Sequence, residues 1–197
     1  MKRRDAIKRT GLFMGAVVIL PSFGSILQSC QSEVRADWQP LFFRDEEARL
    51  ISSLVDTLLP RTDTPGALDV NADIFIDKVV YGTNTEEGQQ ALRAEMATFN
   101  QECVRNYGAV FADLSNGDKV QAMMREETKA PKFNSAVWGT AVGKQEPVGF
   151  YRSMKSITLW AYLTSEKIGK EVLNYDPIPG EYVGCVPLSE VGNAWSL

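Results

Sequence analysis

Three cysteines, Cys30, Cys103 and Cys185, and a run of carboxylates at Asp63, Asp69, Asp73 and Asp77 are the residues whose chemistry could amount to more than packing. No histidine accompanies them. A Ser-His-Asp or Cys-His nucleophile pair, a histidine metal ligand and a Cys-x-x-Cys-His haem attachment are therefore excluded. The four aspartates stand four to six residues apart without the pattern of a calcium-binding loop. Acid–base or metal chemistry on them is the minor alternative, and the expectation is that this chain supplies no catalytic, cofactor-binding or metal-ligating residue.

Cys30 has a different use. Leu27-Gln28-Ser29-Cys30 resembles the box read by lipoprotein signal peptidase, with a branched apolar residue three positions before the cysteine and a small one just before it. Gln28 is atypical there, and a plain cleavage site with an incidental cysteine is the alternative. Acyl chains on Cys30 would tether a domain to a membrane without a spanning helix. Upstream, the pair Arg3 and Arg4, Lys8, and the apolar stretch from Gly11 to Leu20 are the parts of a twin-arginine export signal. Ala6 departs from the large apolar residue usual in such signals. The stretch is about ten residues long before Pro21, half of what a spanning helix needs. The expected location is the periplasm, on a lipid anchor. The twin-arginine route carries folded proteins, often with a cofactor already inserted, and that sits oddly with a chain that has no cofactor site of its own.

The expected organisation is a signal over residues 1–29, a lipid-anchor linker over 30–43 and a single helical domain over 44–197. The signal holds five cations against Asp5, so it carries +4 of a chain whose net charge is −4, and the remainder carries −8. An acidic chain is a poor nucleic-acid binder, because phosphate contacts need clustered Lys and Arg. It is repelled by anionic headgroups as well, so membrane attachment falls to the anchor. In an oxidising compartment Cys103 and Cys185 leave two arrangements open. One is a disulfide closing about eighty residues, with a stabilisation on the order of 4 kcal/mol in the chain-entropy model. The other is two separate free thiols, since Cys103 falls on the apolar face of a helix.

Periodicity predicts an all-α domain of about five helices with a long irregular tail. Over Arg44 to Leu59 the apolar positions Leu50, Ile51, Leu54, Val55, Leu58 and Leu59 recur at three and four residues, acids fill the first turn, and Pro60 stops the helix. Asn71 to Val80 predicts a shorter helix with Ile74, Phe75, Val79 and Val80 inward. Thr85 opens a longer one whose Leu92, Met96, Phe99, Cys103 and Tyr107 form one stripe before Gly108. Ser115 to Asp118 reads as a capping box in its weaker Asp form, with Val120, Met123 and Met124 inward. Phe150 to Leu173 reads as one further helix, with Phe150, Met154, Ile157, Trp160 or Ala161, and Tyr162 or Leu163 inward. Gly169 weakens its far end, and Glu166 within it is expected to pair with a lysine or arginine. The acidic pairs Glu46-Glu47, Glu86-Glu87 and Glu126-Glu127 fall at helix ends, where the helix dipole or solvent accounts for them.

Two segments are irregular. Thr62-Asp63-Thr64-Pro65-Gly66 has turn chemistry throughout: Asp63 can accept from backbone N–H groups two residues on, Pro65 fixes φ, and Gly66 permits a positive φ. From Asn174 onward three prolines and two glycines by Pro187 forbid regular structure, while Tyr175, Ile178, Tyr182, Val183 and Val186 are too apolar for a free linker. Such a segment should lie extended against a surface, either the chain's own helices or a partner's.

Leu58-Leu59-Pro60-Arg61-Thr62-Asp63-Thr64-Pro65-Gly66-Ala67, then Phe75-Ile76-Asp77, Tyr162-Leu163-Thr164-Ser165-Glu166 with Gly169, and Asn174-Tyr175-Asp176 through Pro187, together with the signal, resemble the gluconate 2-dehydrogenase subunit 3 family. The resemblance spans roughly residues 45 to 195, and residues 85 to 147 carry little of it. It implies a small, non-catalytic subunit of a membrane-associated dehydrogenase. In such enzymes a large flavoprotein of the glucose-methanol-choline type, holding FAD, oxidises a sugar or sugar-acid hydroxyl and passes electrons to a cytochrome c or another acceptor. The small subunit stabilises the flavoprotein and supplies the export signal it lacks, which explains a folded-protein signal on a cofactor-free chain. On this reading Thr62, Asp63, Pro65, Gly66, Tyr175 and Tyr182 form part of the contact with the flavoprotein. The alternative is a free-standing periplasmic lipoprotein that binds a ligand or structural partner without a redox role.

Overall fold

The computed structural model describes residues 38–129, 149–178, 180–181 and 184–196. Among them are seven α-helices: α1 (Asp45–Leu58), α2 (Ala72–Thr83), α3 (Glu86–Tyr107), α4 (Asn116–Lys129), α5 (Phe150–Leu163), α6 (Glu166–Glu171) and α7 (Leu188–Val191). Short 3-10 turns at Leu68–Val70 and Phe111–Asp113 join α1 to α2 and α3 to α4. No strand occurs among the described residues, and the domain is all-α as expected. One isolated parallel bridge pairs Asn174 with Trp195. Arg3, Arg4, Cys30 and Tyr182 lie outside the described residues.

The central element is α1, which packs against α2, α4, α5 and both 3-10 turns. Its Ala48, Leu50, Ile51, Leu54 and Val55 are almost completely buried. Burying each of the larger of these side chains stabilises the fold by about 1.5–3 kcal/mol relative to leaving it in water. Asp45, Glu46 and Glu47 occupy the first turn, where the dipole favours acids, and the Glu47 carboxylate accepts from the Arg44 N–H at 2.9 Å. In α3 the Thr85 hydroxyl accepts from the Gly88 N–H, and Gly108 closes the helix at φ 85°, a conformation that suits glycine. Leu92, Met96, Phe99 and Cys103 are buried along one stripe of α3. The Phe99 ring lies 5.2 Å from Phe111 and 5.3 Å from Phe150, joining α3, the second 3-10 turn and α5.

Four features differ from the sequence expectation. The helix expected over Phe150 to Leu173 is two helices. The Thr164 hydroxyl donates to the Trp160 carbonyl, while the Ser165 hydroxyl donates to the Tyr162 carbonyl and accepts from the Ile168 N–H, so this pair ends α5 and caps α6. Such local side-chain bonds compete with helical ones. The inward positions of α5 resolve to Ala161, buried, and Tyr162, half-buried, while Trp160 and Leu163 are exposed.

On α4 the contact is made by Ala122 and Met123, and Val120 and Met124 point to solvent. The buried arc is centred near Lys119, Ala122, Met123 and Glu126, so those two apolar residues fall on its flank. On α2 the buried residues are Ala72, Asp73, Ile76, Asp77 and Val80, with Ile74, Phe75 and Val79 half-buried. Two carboxylates sit on the inner face because each has hydrogen-bond partners there. Finally, the linker expected to run to residue 43 ends sooner: Trp38, Phe42 and Phe43 belong to the core.

Candidate functional site

The irregular segment after α1 is held at both ends. Gly66 N–H donates to Asp69 Oδ2 at 2.8 Å, Ala67 N–H donates to the Leu59 carbonyl at 2.9 Å, and Thr62 N–H donates to the Thr64 carbonyl at 3.1 Å. The carboxylate that fixes the turn is thus Asp69, which also meets Arg61 at 3.3 Å, while Asp63 is exposed. Gly66 is required for a different reason from the expected positive φ. A Cβ there would lie 2.7 Å from the Arg61 nitrogen and 2.9 Å from the Leu59 oxygen, so the backbone can close on itself only at a glycine. Asn71, at φ 56°, then turns the chain into α2.

The C-terminal half meets this turn through Tyr162, whose hydroxyl donates to the Pro65 carbonyl at 2.8 Å. Beside that contact lies a polar cleft of about 520 Å³, lined by Asp69, Val70 and Asn71 on one side and by Ser165, Glu166 and Lys170 of the α6 region on the other. Glu166 has its expected cation: Lys170 donates to it at 2.7 Å. That hydrogen bond holds the Glu166 carboxyl below its usual range and raises Lys170 in turn. Both are fully exposed, so the pair contributes little to stability. The Lys170 ammonium also lies 5.9 Å from the centre of the Tyr175 ring. The cleft thus joins the Asp69–Asn71 side of the turn to α6, and Lys170 links α6 to Tyr175, while Thr62 and Asp63 are exposed.

The tail is anchored at its base and open beyond it. Asn174 accepts from Ser196 N–H and donates its own N–H to the Ala194 carbonyl, both at 2.9 Å, and its amide donates to the carbonyls of Val191 and Asn193. Asn193 donates to Val172, and the Ser196 hydroxyl donates to Gly169. Between these ties the apolar side chains face solvent: Ile178 and Leu188 are 84% and 85% exposed, and Tyr175, Val186 and Trp195 are also exposed. The segment loops back to Asn174 by backbone bonds and to α6 through the Ser196 hydroxyl, without burying these side chains. On α5, Leu159, Trp160 and Leu163 are exposed too, with the Trp160 ring set edge-on to Phe75 at 5.1 Å.

Cys103 and Cys185 are separate free thiols, one buried in α3 and the other exposed in the tail, so the bridged arrangement is not formed. Burial, reinforced by Glu126 and Glu102, pushes the Cys103 thiol up to about 11. A thiol so buried is inert. No group of three or more His, Cys, Asp or Glu side chains that could hold a metal occurs among the described residues. No helix among them is long and apolar enough to cross a membrane.

The sequence reading missed the use of Asp77. Its carboxylate, 1% exposed, accepts three successive backbone N–H groups, from Leu41 at 2.6 Å and from Phe42 and Phe43 at 3.0 Å. Asp73, four residues earlier, accepts from the Ser52 hydroxyl at 2.8 Å. The signal was present: carboxylates at i and i+4 flanking Ile76 on an apolar face must find donors once buried. Their partners, at residues 41–43 and 52, are far away in the chain.

The family profile described as gluconate 2-dehydrogenase subunit 3 matches residues 45–180, from the first residue of α1 to the middle of the tail. No curated protein and no solved structure matches the chain.

Proposed function

We propose, from the premise that the chain belongs to the gluconate 2-dehydrogenase subunit 3 family and is thus an accessory subunit of a dehydrogenase, that it is the non-catalytic small subunit of a membrane-associated, FAD-dependent enzyme. The partner is a glucose-methanol-choline-type flavoprotein that oxidises a sugar or sugar-acid hydroxyl, with a cytochrome c as an electron acceptor. This chain stabilises the flavoprotein and carries it through the twin-arginine route by the signal containing Arg3 and Arg4. Cys30 bears the lipid that keeps the assembly on the membrane, in the periplasm. The observation that carries this reading is the family match over residues 45–180.

The exposed apolar tail agrees with a subunit that works by contact. Tyr175, Ile178, Leu188 and Trp195 are large exposed side chains available there. An interface built on such a surface takes its strength from a few aromatic anchors. The deciding experiment replaces Arg3 and Arg4 together by lysine and follows both proteins. Loss of this chain and of the flavoprotein from the periplasm is the expected result. A flavoprotein exported normally in that double variant overturns the carrier role, and a tagged chain that recovers no flavin-containing partner from native membranes overturns the subunit assignment.

A further inference from the structure

Residues 175–193 form a loop whose two ends are tied at one residue, Asn174. Its N–H donates to the Ala194 carbonyl and its carbonyl accepts from the Ser196 N–H, both at 2.9 Å, which makes the parallel bridge to Trp195. Its side-chain amide donates to the carbonyls of Val191 and Asn193. Gly192, at φ 73°, turns the returning chain beside that side chain, with Asn174 Oδ1 3.6 Å from where a Cβ would stand. The Ser196 hydroxyl donates to the Gly169 and Asn174 carbonyls and so fastens the closed base to α6. Above this base the loop carries two kinds of side chain. Ile178, Val186 and Leu188 are exposed, as is Trp195 at the closing end. From residue 174 to 197 the charged side chains are Asp176, Glu181 and Glu190, with no lysine or arginine. Glu181 and Glu190 are exposed and form no ion pair among the described residues.

We infer that this is a preformed docking loop for an apolar groove rimmed by lysine or arginine on a partner protein, with Asn174 as the positioning residue that holds it in binding shape. Three observations carry this. The base is closed by hydrogen bonds within this chain, so its form does not wait for a partner. The apolar side chains gain nothing from that closure: they stay in water, and only burial against another surface removes them from it. The unbalanced acids set the chemistry of that surface, because opposite charges across an interface steer the encounter and like charges oppose it. The same acids disfavour an anionic lipid surface, whose potential attracts basic segments. A loop already in shape also loses less conformational freedom on binding than one that must fold first. The inference deepens the subunit reading by giving the chemistry of the contact, and it rests on that reading for the identity of the partner, the flavin-containing protein.

The test uses the full chain, tagged, and the flavin-containing protein that it recovers from native membranes, separated and rebound at several salt concentrations. Wild-type affinity should fall as salt rises. Glu181→Gln combined with Glu190→Gln should weaken binding about three- to tenfold at low salt, the range for two exposed ion pairs, and should flatten the salt dependence. Asn174→Ala should weaken it about tenfold at every salt concentration, as follows when the closed form drops to about a tenth of the population. Amide exchange on the free chain is the second measurement. The Asn174 and Ser196 amides should be protected in the wild type and exchange at least about tenfold faster in Asn174→Ala, while the centres of α1 and α3 are unchanged. Binding that ignores salt and both variants overturns the inference and leaves the subunit reading standing, as do unprotected Asn174 and Ser196 amides in the free wild type. Binding to anionic phospholipid vesicles that is lost in Asn174→Ala overturns it too, because the loop's partner is then a membrane. Recovery of no flavin-containing protein overturns the subunit reading and this inference together. If Asn174→Ala fails to fold, the glutamine pair and the wild-type exchange decide.

Discussion

The Tyr162 hydroxyl and the Pro65 carbonyl, 97 positions apart in the chain, are joined by a 2.8 Å hydrogen bond that fixes the turn after α1 to the end of α5. A net contribution of about 1 kcal/mol is typical for such a bond. Tyr162→Phe should therefore lower the thermal midpoint by about 2–4 °C, as expected for a domain of this size. Calorimetry checks it, and an unchanged midpoint would show that the turn needs no brace.

Gly66→Ala tests the close approach at the same turn. The new methyl would meet the backbone of Arg61, Leu59 and Pro60 at 3.0 Å or less, and none of those atoms can swing aside. Overpacking of this kind costs about 1–3 kcal/mol. Urea denaturation should show a lower midpoint with an unchanged slope.

Tyr175 stands on the proposed contact surface, exposed and beside Lys170. Truncating a well-buried interface aromatic commonly costs about 2 kcal/mol, some thirtyfold in affinity. Tyr175→Ala should weaken co-purification of the flavoprotein while moving the free subunit's midpoint by less than about 2 °C, since surface substitutions lie within about 0.5 kcal/mol. A large fall in the midpoint would place Tyr175 in this chain's own packing. Tyr182→Ala is the companion variant, expected to behave in the same way.

The two thiols should differ sharply toward a maleimide at neutral pH. Cys185 is exposed and should label quickly, whereas Cys103, 2% exposed, should label only after denaturation. Peptide mapping distinguishes them. The raised Cys103 value has a consequence at high pH. The unfolded thiol ionises near 9.0 and the folded one near 11, so its contribution to stability is intact below pH 9 and is lost as the pH climbs toward 11. Cys103→Ala should flatten the decline of stability over that window.

Cys30→Ala should abolish labelling by a fatty-acid probe and release the protein from membranes or leave it unprocessed. A wild-type chain that is processed normally without taking up the probe would argue for a product free of any lipid.

The sequence by itself determined the helical class, the places of the five longer helices and the family. These rest on local signals: the 3- and 4-residue recurrence of Leu50, Ile51, Leu54 and Val55, the Thr85 cap, the Gly108 stop, and the Thr62–Gly66 string after an amphipathic helix. Glu166 was expected to pair with a lysine or arginine, and the structure supplies Lys170, one helical turn away. What it could not reach was any pairing between distant parts of the chain. Asp77 with residues 41–43, Tyr162 with Pro65, and Asn174 with Ala194 and Ser196 join groups whose individual sequences announce no partner. The break at Thr164-Ser165 was misread because an apolar stripe fixes a helical phase but does not say where hydroxyls will cut the backbone ladder. Only the tertiary structure decided that Gly66 serves a close approach, that Val120 and Met124 face water, and that Trp38, Phe42 and Phe43 belong to the core. Those outcomes depend on which surfaces meet, and that is a property of the assembled helices rather than of any one segment.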